Sequence, residues 1–319
     1  MKSIASAPGK VILFGEHFIV YGGKAVLCSI DKRITVESAL TDSGKIEVRS
    51  SLGSISCAKD MPLSEIESTL RPIVYIAQKI LSESGGQSGI TINVTAEFPS
   101  GIGLGSSSAC CVAAASSIVG LFSKCTKEQI LELAIEAERT IFENTSGADC
   151  SVCTYGGLIE YHRDGQIVRL DFEPRFSLVI ADSKMPHSTS QVVARVKKYK
   201  DENPAIFSLL RTQEERLIDD AISAMQSNDL ALVGRKMSQN QKYLDQIGVS
   251  NSTLDAMLNV AYQRSYGAKI TGAGDGGCII AIVDDSNQQA VIRDLLEKGY
   301  DCFAARMDLR GVQHQIDNT

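Results

Sequence analysis

The sequence predicts an α+β protein in which two domains pack closely and share a cleft. The first half alternates short apolar strands with helices, and from about residue 185 the pattern becomes more polar and more helical. The chain of 319 residues has about twice the length of a typical domain. It contains neither an internal repeat nor a low-complexity linker, which favours two domains in close contact.

Strands and helices alternate in the first half. Apolar and polar residues take turns along the strands, as at Ile90, Ile92 and Val94. The predicted strands span residues 11–14, 25–30, 34–39, 46–50 and 89–95, and the predicted helices span residues 63–84, 106–122 and 127–142. Because an amphipathic helix buries one face, we expect these helices to cover one face of a sheet.

Strands return after the glycine pair at residues 156–157, and the second half then becomes helical. The next strands are predicted at 158–161, 167–171 and 176–181, and helices at 188–200, 204–227, 229–247 and 250–266. A strand at 276–283, a helix at 287–298 and a strand at 302–307 follow. This order predicts an α+β second domain, and we place the domains at residues 1–170 and 171–319.

The composition excludes several classes of partner. Apolar residues make up 44% of the chain, and 38 acidic against 32 basic residues give a formal net charge of −6. This balance argues against a nucleic acid or an anionic membrane surface as the main partner. The longest run of small and apolar residues, 109–122, is too short to span a bilayer, and the amino terminus lacks the apolar stretch of a signal peptide.

The nine cysteines are an odd number and lie mostly in apolar segments. Such thiols are typical of a reducing compartment, so we expect a cytoplasmic protein. Cys150 and Cys153 form a C-x-x-C pair, but no second pair at zinc-ligand spacing accompanies them. We therefore interpret both as core residues.

Residues 99–109, P-S-G-I-G-L-G-S-S-S-A, are the most informative segment. They follow a predicted strand and lead into a helix of small residues. Glycines at alternate positions let backbone N–H groups converge on an anion, and the helix start adds unpaired amides and a positive dipole end. A serine hydroxyl there can ligate a phosphate-bound metal ion. The sequence thus predicts a phosphate-binding loop, with these candidate residues: Pro99, Gly101, Gly103, Leu104, Gly105, Ser106, Ser107 and Ser108.

Three segments, in family order, resemble the signature motifs of the galactokinase, homoserine, mevalonate and phosphomevalonate (GHMP) kinase superfamily. They are residues 7–22 (A-P-G-K-V-I-L-F-G-E-H-F-I-V-Y-G), residues 99–109, and residues 269–278 (K-I-T-G-A-G-D-G-G-C). Residues 10–22 resemble in particular the branch that phosphorylates mevalonate, as do residues 146–149, 152–157 and 184–189. Within residues 240–250, Asn240, Gln241, Leu244 and residues 248–250 match that branch as well. The resemblance covers nearly the whole chain, and the length is closest to the compact archaeal type.

The resemblance implies a fold and an activity. The fold is the two-domain GHMP kinase fold: an amino-terminal domain like domain 2 of ribosomal protein S5, with a left-handed β-α-β unit, and a ferredoxin-like carboxy-terminal domain. The implied activity is transfer of a phosphoryl group from ATP, with Mg²⁺, to the 5-hydroxyl of (R)-mevalonate, which yields 5-phosphomevalonate and ADP. The family also suggests a homodimer.

Catalytic and metal-binding roles follow from the resemblance, residue by residue. Asp149 falls on the catalytic aspartate that takes the proton of the substrate hydroxyl. Lys10 falls on the lysine placed between that aspartate and the phosphate, where it would act on the aspartate, the hydroxyl or the developing charge. Ser107 and Glu138 match the Mg²⁺ ligands, with Ser106 and Ser108 as alternative hydroxyls.

Substrate contacts are implied for Glu16, His17 and Thr189, and for Gly272 and Ala273 in the third motif. Two positions depart from the family pattern, although neither removes a catalytic group. Asp275 replaces a glycine and could cap the turn, contact substrate hydroxyls or face solvent. Thr145 stands where the family often has proline.

Several functions remain open at this level. Within the superfamily the alternatives are a phosphomevalonate kinase, a mevalonate 3-kinase, a diphosphomevalonate decarboxylase or another small-molecule kinase. Lys10, Asp149 and the intact G-E-H-x-x-V-Y-G segment favour the simple kinase. A non-catalytic nucleotide- or metabolite-binding sensor is an alternative of another class, and it usually lacks the base or the metal ligands.

Overall fold

The computed structural model describes residues 2–85, 88–186 and 188–317, and these form two β-sheets flanked by helices. The strands are β1 (Lys2–Phe14), β2 (Lys24–Thr41), β3 (Lys45–Ser50), β4 (Gly53–Ala58), β5 (Gly89–Ala96), β6 (Leu158–His162), β7 (Ile167–Leu170), β8 (Ser177–Asp182), β9 (Gly267–Thr271), β10 (Cys278–Val283), β11 (Cys302–Arg306) and β12 (Gln313–Asp317). The helices are α1 (Arg71–Glu83), α2 (Ser106–Val119), α3 (Lys127–Glu138), α4 (Ala148–Tyr155), α5 (Thr189–Glu202), α6 (Pro204–Gln226), α7 (Leu230–Gln246), α8 (Ser252–Ala261) and α9 (Gln288–Glu297). The predicted α+β fold class is confirmed.

The first sheet has the strand order β12-β1-β2-β5-β3-β4, and β6 and β7 extend it beside β2. Its central helix is α2, which packs on β1 and β2 and against α1, α3 and α4. The side chains of Ala113, Ala114 and Ala115 in α2 are fully buried. Because these side chains are small, α2 can pack closely on the sheet and against the neighbouring helices.

The second sheet is antiparallel, with the order β11-β8-β10-β9. Every residue of β10 is buried, as its unbroken apolar sequence indicates. Helix α7 packs on β9 and against α6, and α8 and α9 lie beside β9, β10, β8 and β11. This layer of helices on one sheet confirms the predicted α+β second domain.

One predicted break in a strand was wrong. Strands 25–30 and 34–39 are a single strand, β2, because the polar residues between them are accommodated by the fold. Arg33 forms an ion pair with Asp308 and donates hydrogen bonds to the carbonyl oxygens of Ser6 (2.8 Å) and Gly311 (2.7 Å). These partners lie far along the chain, so the local pattern could not indicate them.

Other differences concern elements with weak local signals. The helix predicted at 63–84 begins only at Arg71, after a short 3₁₀ turn at Leu63–Glu65. Strands β4, β9 and β12 and helix α4 were not predicted. Strand β12 pairs with β1 at the opposite end of the chain. A domain boundary at residue 170 stays a prediction: β7 ends at Leu170, and β12, beyond that boundary, joins the first sheet.

The end of β1 contacts the second domain. Thr271 Oγ1 in β9 accepts a hydrogen bond from the Ile12 N–H (3.0 Å) and donates one to the Ile12 carbonyl oxygen (3.1 Å). The Gly15 N–H donates to Glu214 Oε1 in α6 at 3.0 Å. These bonds bring residues 10–17 to the boundary between the two sheets.

None of the described helices has the length and apolarity that a bilayer crossing requires. The nine cysteines of the described chain are free, and Cys150 and Cys153 are buried. Burial raises the pKa of both thiols well above the ordinary value. Both cysteines are therefore protonated core residues.

Candidate active site

A cavity of about 630 Å³ opens between the two domains. It brings together residues from all three signature motifs and from the segments 146–149 and 184–189, whereas the segments 152–157 and 240–250 contribute none. The predicted residues in its lining are Lys10, Gly101, Gly103, Gly105, Ser106, Ser107, Ser108, Glu138, Asp149, Thr189, Gly272 and Ala273. We call it the site cavity. Four other predicted residues, Pro99, Leu104, Glu16 and His17, lie outside its lining, and His187 of the 184–189 segment lies outside the described residues.

Residues 99–105, the phosphate loop, connect β5 to α2. Gly101, Gly103 and Gly105 all have positive φ values, of 81°, 90° and 70°. At Gly105 a Cβ atom would lie only 2.7 Å from Lys10 Cγ, so the lysine stem occupies the space that a side chain would need. As the N-cap of α2, Gly105 has no side chain to bond the first-turn amides, which leaves them for an anion.

Lys10 and Asp149 form an ion pair on the cavity wall. Lys10 Nζ lies 3.1 Å from Asp149 Oδ2, and the side chains are 5% and 36% exposed. The Lys10 N–H donates to the Leu104 carbonyl oxygen at 2.9 Å, so the phosphate loop and β1 hold each other in place. Asp149 lies in the first turn of α4, where the helix dipole favours a negative charge. The partly exposed carboxylate of Asp149, which can accept a proton, therefore lies directly beside the buried ammonium of Lys10.

Glu138 ends α3, and its side chain is buried. One carboxylate oxygen accepts a hydrogen bond from Ser108 Oγ, and the other accepts one from Thr145 Oγ1 at 2.5 Å. The Thr145 hydroxyl thus has a structural function that the proline of the family pattern could not provide. Ser108, rather than Ser107, contacts Glu138, while both serines line the site cavity.

The donor chemistry at this wall fits a small divalent cation. A carboxylate and serine hydroxyls are the hard oxygen ligands that Mg²⁺ prefers, and Mg²⁺ usually takes few protein ligands because phosphates and water complete its shell. Among the described residues no group of three or more His, Cys, Asp or Glu side chains could hold a metal by itself. Ligation by Ser107 and Glu138 thus stays a prediction.

Glu16 is buried and faces the second domain. Its carboxylate forms an ion pair with Lys269 Nζ, and the exposed fractions of the two side chains are 1% and 0%. Burial raises the pKa of Glu16, an effect that the Lys269 charge opposes, and burial lowers the pKa of Lys269. The substrate contact implied for Glu16 stays a prediction, because this carboxylate is engaged away from the site cavity.

His17 reaches the cavity through Ala273. Its Nε2 lies 2.8 Å from the Ala273 carbonyl oxygen, and since a carbonyl only accepts, Nε2 carries the proton. Burial lowers the pKa of His17, so the ring is neutral near pH 7. The His17 backbone has a φ of 64°, a left-handed conformation that is uncommon for a residue other than glycine. The surrounding contacts must hold it there.

Residues 272–277, the glycine turn, lie against the phosphate loop. A Cβ atom on Gly272 would come within 3.7 Å of Gly103 Cα, so the two glycine segments touch. Asp275, the departure from the family pattern, forms an ion pair with Arg195 at 2.8 Å. Arg195 belongs to α5, whose first residue, Thr189, lines the site cavity. The pair therefore connects α5 to the glycine turn.

Four residues of the site region were missed by the sequence analysis as individual functional candidates: Lys269, Glu214, Asn240 and Arg195. Lys269 and Asn240 lie inside segments that carry the resemblance, so their position there was the available signal. Glu214 and Arg195 are charged residues of amphipathic helices, where a solvent-exposed position is the usual interpretation. Only the packing of α6 against α7 shows that Glu214 is buried.

Comparisons with known proteins agree with this geometry. The family descriptions "GHMP kinases N terminal domain" and "GHMP kinases C terminal" match residues 72–157 and 221–301. The mevalonate kinase of Pyrococcus horikoshii is 34% identical over 298 residues, covering 88% of each chain, and that of Thermococcus sibiricus is 31% identical over 306 residues, covering 91% of each. The crystal structure of the Methanococcus jannaschii mevalonate kinase superposes with a TM-score of 0.86 at 25% identity, covering 96% of this chain and 98% of that one. With both domains matched and relatives that extend over most of its length, the chain belongs to the GHMP kinase family.

Proposed function

We propose that the protein is an ATP-dependent kinase that phosphorylates (R)-mevalonate at its 5-hydroxyl, producing 5-phosphomevalonate and ADP. The observation that carries this is the Lys10–Asp149 pair on the wall of a cavity also lined by the phosphate loop. The relatives named above are mevalonate kinases, which supports mevalonate as the acceptor. A sensor would need neither a base nor a cation at this position.

Asp149 is the general base in this proposal. Its carboxylate accepts the proton of the 5-hydroxyl as that oxygen attacks the γ-phosphorus of ATP, and the bond to the bridging oxygen of ADP breaks. A well-placed base contributes about 10²–10⁴ in rate. Lys10 holds the carboxylate in place and supplies a positive charge beside the transferring group.

The phosphate loop and the first turn of α2 bind the ATP phosphates. Their amides are available because Gly105 offers no side chain to cap the helix. Gly101 and Gly103 have no Cβ atoms, so a phosphate can approach the backbone of the loop closely. Glu138 and the hydroxyl of Ser107, or of Ser108, would hold Mg²⁺. When bound, the ion neutralises charge on the phosphates.

The acceptor binds in the same cavity, beside the glycine turn and the start of α5. Thr189, Gly272 and Ala273 line the cavity there, and His17 acts through Ala273. Because His17 donates its Nε2 proton to the Ala273 carbonyl, it sets the orientation of the peptide that faces the substrate. Direct contact of His17 and Glu16 with mevalonate is part of the family resemblance and belongs to the proposal.

A coupled ADP-release assay tests this function. The purified protein is assayed with Mg²⁺ and ATP against mevalonate, phosphomevalonate, diphosphomevalonate, homoserine and galactose. Turnover with mevalonate above all others supports the proposal, and a product analysis by phosphorus NMR identifies the 5-position. Nucleotide binding without turnover of any acceptor would instead favour a sensor.

Two further parts of the proposal concern the state of the enzyme in the cell. Nine free thiols in the described chain support a reducing compartment such as the cytoplasm. The homodimer rests on the family resemblance alone. Light scattering coupled to size-exclusion chromatography measures it directly: a mass of one chain across the micromolar range would contradict a dimer.

A further inference from the structure

Four polar side chains form a cluster buried between the domains, next to the site cavity but outside its lining. They are Glu16 after β1, Glu214 in α6, Asn240 in α7 and Lys269 in β9, and we call them the buried cluster. Each is at most 2% exposed. Buried charges need partners, so the hydrogen bonds of this cluster must be accounted for one by one.

The hydrogen bonds within the buried cluster leave acceptors without donors. Lys269 Nζ donates to Glu16 Oε1 and to the Ile270 carbonyl oxygen. Glu214 Oε1 accepts from Asn240 Nδ2 at 2.7 Å and from the Gly15 N–H at 3.0 Å. Glu16 Oε2, Glu214 Oε2 and Asn240 Oδ1 have no partner among the described residues. All three are acceptors, and an additional donor is therefore missing.

The charges are unbalanced in the same direction. Two carboxylates face one ammonium, which leaves one negative charge without compensation at a site where water does not reach. One proton on a carboxylate of the cluster would supply the missing hydrogen-bond donor and also remove the uncompensated negative charge, since it converts an acceptor oxygen into a neutral O–H donor. Glu16 is paired directly with Lys269, whereas Glu214 accepts only from neutral groups, so Glu214 is where the proton belongs.

The groups around Glu214 agree with this assignment. From the loop after β1 it faces Glu16, from β9 it faces Lys269, and α7 presents the neutral Asn240. Two other lysines have different partners. Lys24 of β2 forms ion pairs with Asp219 and Glu160, and the charge of Lys10 lowers the pKa of Glu16. Burial first, and the Glu16 charge second, raise the pKa of Glu214 to about 7.

The buried cluster holds the segment that carries His17. Glu214 binds the backbone N–H of Gly15, and Lys269 binds the side chain of Glu16. The next residue, His17, has its uncommon left-handed backbone and contacts Ala273 in the glycine turn. Losing either anchor would free a strained segment to relax away from that turn.

We propose that Glu214 is a positioning residue that keeps a proton in the folded protein and, together with Lys269, holds residues 15–17 against the glycine turn. Its neutral carboxyl donates a hydrogen bond through Oε2 to Glu16 Oε2 or Asn240 Oδ1, the other two acceptors that have no partner among the described residues. When Glu214 loses the proton, the buried negative charge weakens the contact between the domains. The kinetic consequence rests on the proposed function, whereas the protonation state does not.

Glu214→Gln tests this, because an amide has the shape of the neutral carboxyl and does not titrate. Glu215→Gln, on the same helix and only half-buried, is the matched control. We expect the folding equilibrium constant of the unmodified protein, divided by that of Glu214→Gln, to fall about tenfold per pH unit between about pH 4.5 and 7. Above that range the ratio should level off. The sign follows because a raised pKa in the folded state lets the folded protein bind the proton more tightly. A pH-independent difference would overturn the proposal.

Infrared spectroscopy of protein labelled with ¹³C-glutamate gives a readout independent of folding and of activity. A carboxylic acid C=O band should be present at pH 6, lost by pH 9, and absent from Glu214→Gln. Glu16→Gln should also lose the band at pH 6, since Lys269 then faces Glu214 alone and favours the ionised carboxylate. If Glu214→Gln does not fold, the Glu16→Gln result decides, and a band that persists there overturns the proposal.

Steady-state kinetics adds the positioning test. The KM for mevalonate should rise between pH 6 and 9 in the unmodified protein, the range over which the infrared band is lost. It should stay constant in Glu214→Gln, and kcat should change less than KM. A titrating infrared band without this KM effect would support the protonation and refute the positioning role. Absence of turnover in every variant would count against the proposed function and leave the infrared result in force.

Discussion

The ammonium of Lys10 lies 3.1 Å from the carboxylate of Asp149, although the two residues are 139 positions apart in the chain. One belongs to β1 and the other to the first turn of α4, and the side chain of the lysine is almost fully buried while the aspartate is partly exposed. A buried cation beside a partly exposed carboxylate is suited to the proton abstraction that we propose for Asp149.

We expect Asp149→Asn to lower kcat by about 10²–10⁴, because the amide keeps the size of the side chain and removes the proton acceptor. Affinity for ATP, measured by isothermal titration, should change little. Asp171→Asn, at an exposed position away from the cavity, is the control and should keep full activity. Retention of most of kcat in Asp149→Asn would show that another group takes the proton.

Gly105→Ala should weaken ATP binding and lower activity. The new Cβ would lie 2.7 Å from Lys10 Cγ, on a backbone with a φ of 70°, so both the lysine and the loop must shift. Gly165→Ala is the matched control: its φ is 90°, nothing lies within 4 Å of the place that its Cβ would take, and it is remote from the cavity. That variant should lose about 1 kcal/mol of stability and no ATP affinity. Equal ATP affinity in both variants would contradict the role of the phosphate loop.

The two serines beside Glu138 should have separable effects. Ser107→Ala should increase the Mg²⁺ concentration needed for half-maximal activity, because it removes a predicted ligand. Ser108→Ala removes the hydrogen bond to Glu138 and should mainly lower thermal stability, by about 1–3 kcal/mol for an unsatisfied buried carboxylate oxygen. A magnesium titration and a melting curve on each variant measure both effects. If only Ser108→Ala changes the magnesium requirement, Ser108 is the hydroxyl ligand.

Asp275→Asn should raise the KM for mevalonate and change the stability of the protein only slightly. The ion pair with Arg195 is partly exposed, so its loss should cost about 0–1 kcal/mol. However, the pair joins the glycine turn to α5, whose first residue lines the cavity. Glu202→Gln, which removes an exposed pair with Lys198 on the same helix, should change neither quantity. An unchanged KM in Asp275→Asn would show that the position of α5 does not depend on this pair.

The neutral His17 should make the protein less stable in acid. Burial lowers the pKa of His17, so the unfolded chain takes up this proton more readily than the folded one. The contribution is fully present above about pH 6.5 and declines as the pH falls below it. Unfolding measured between pH 5 and 7.5 should show a smaller acid loss in His17→Gln. His314→Gln serves as comparison, since burial lowers that pKa too, away from the site.

Part of this description could be predicted locally. The glycine spacing at 101, 103 and 105 and the small-residue helix after it indicate an anion site by their own chemistry. The first and third motifs then indicated Lys10, Gly272 and Ala273, and the segments 146–149 and 184–189 indicated Asp149 and Thr189. All five residues line one cavity. In contrast, β12 and the continuous strand β2 depend on partners that lie far along the chain, so local periodicity could not indicate them.

By itself, the sequence determined the order of most elements, the anion-binding loop and the set of residue types that phosphoryl transfer needs, because these depend on local periodicity and side-chain chemistry. Tertiary structure decided which groups meet: that Ser108 contacts Glu138, that Asp275 pairs with Arg195, and that Glu214 is buried beside Glu16 and Lys269. Burial and distance set the energy of a charge, and both arise only when segments remote in the chain pack together.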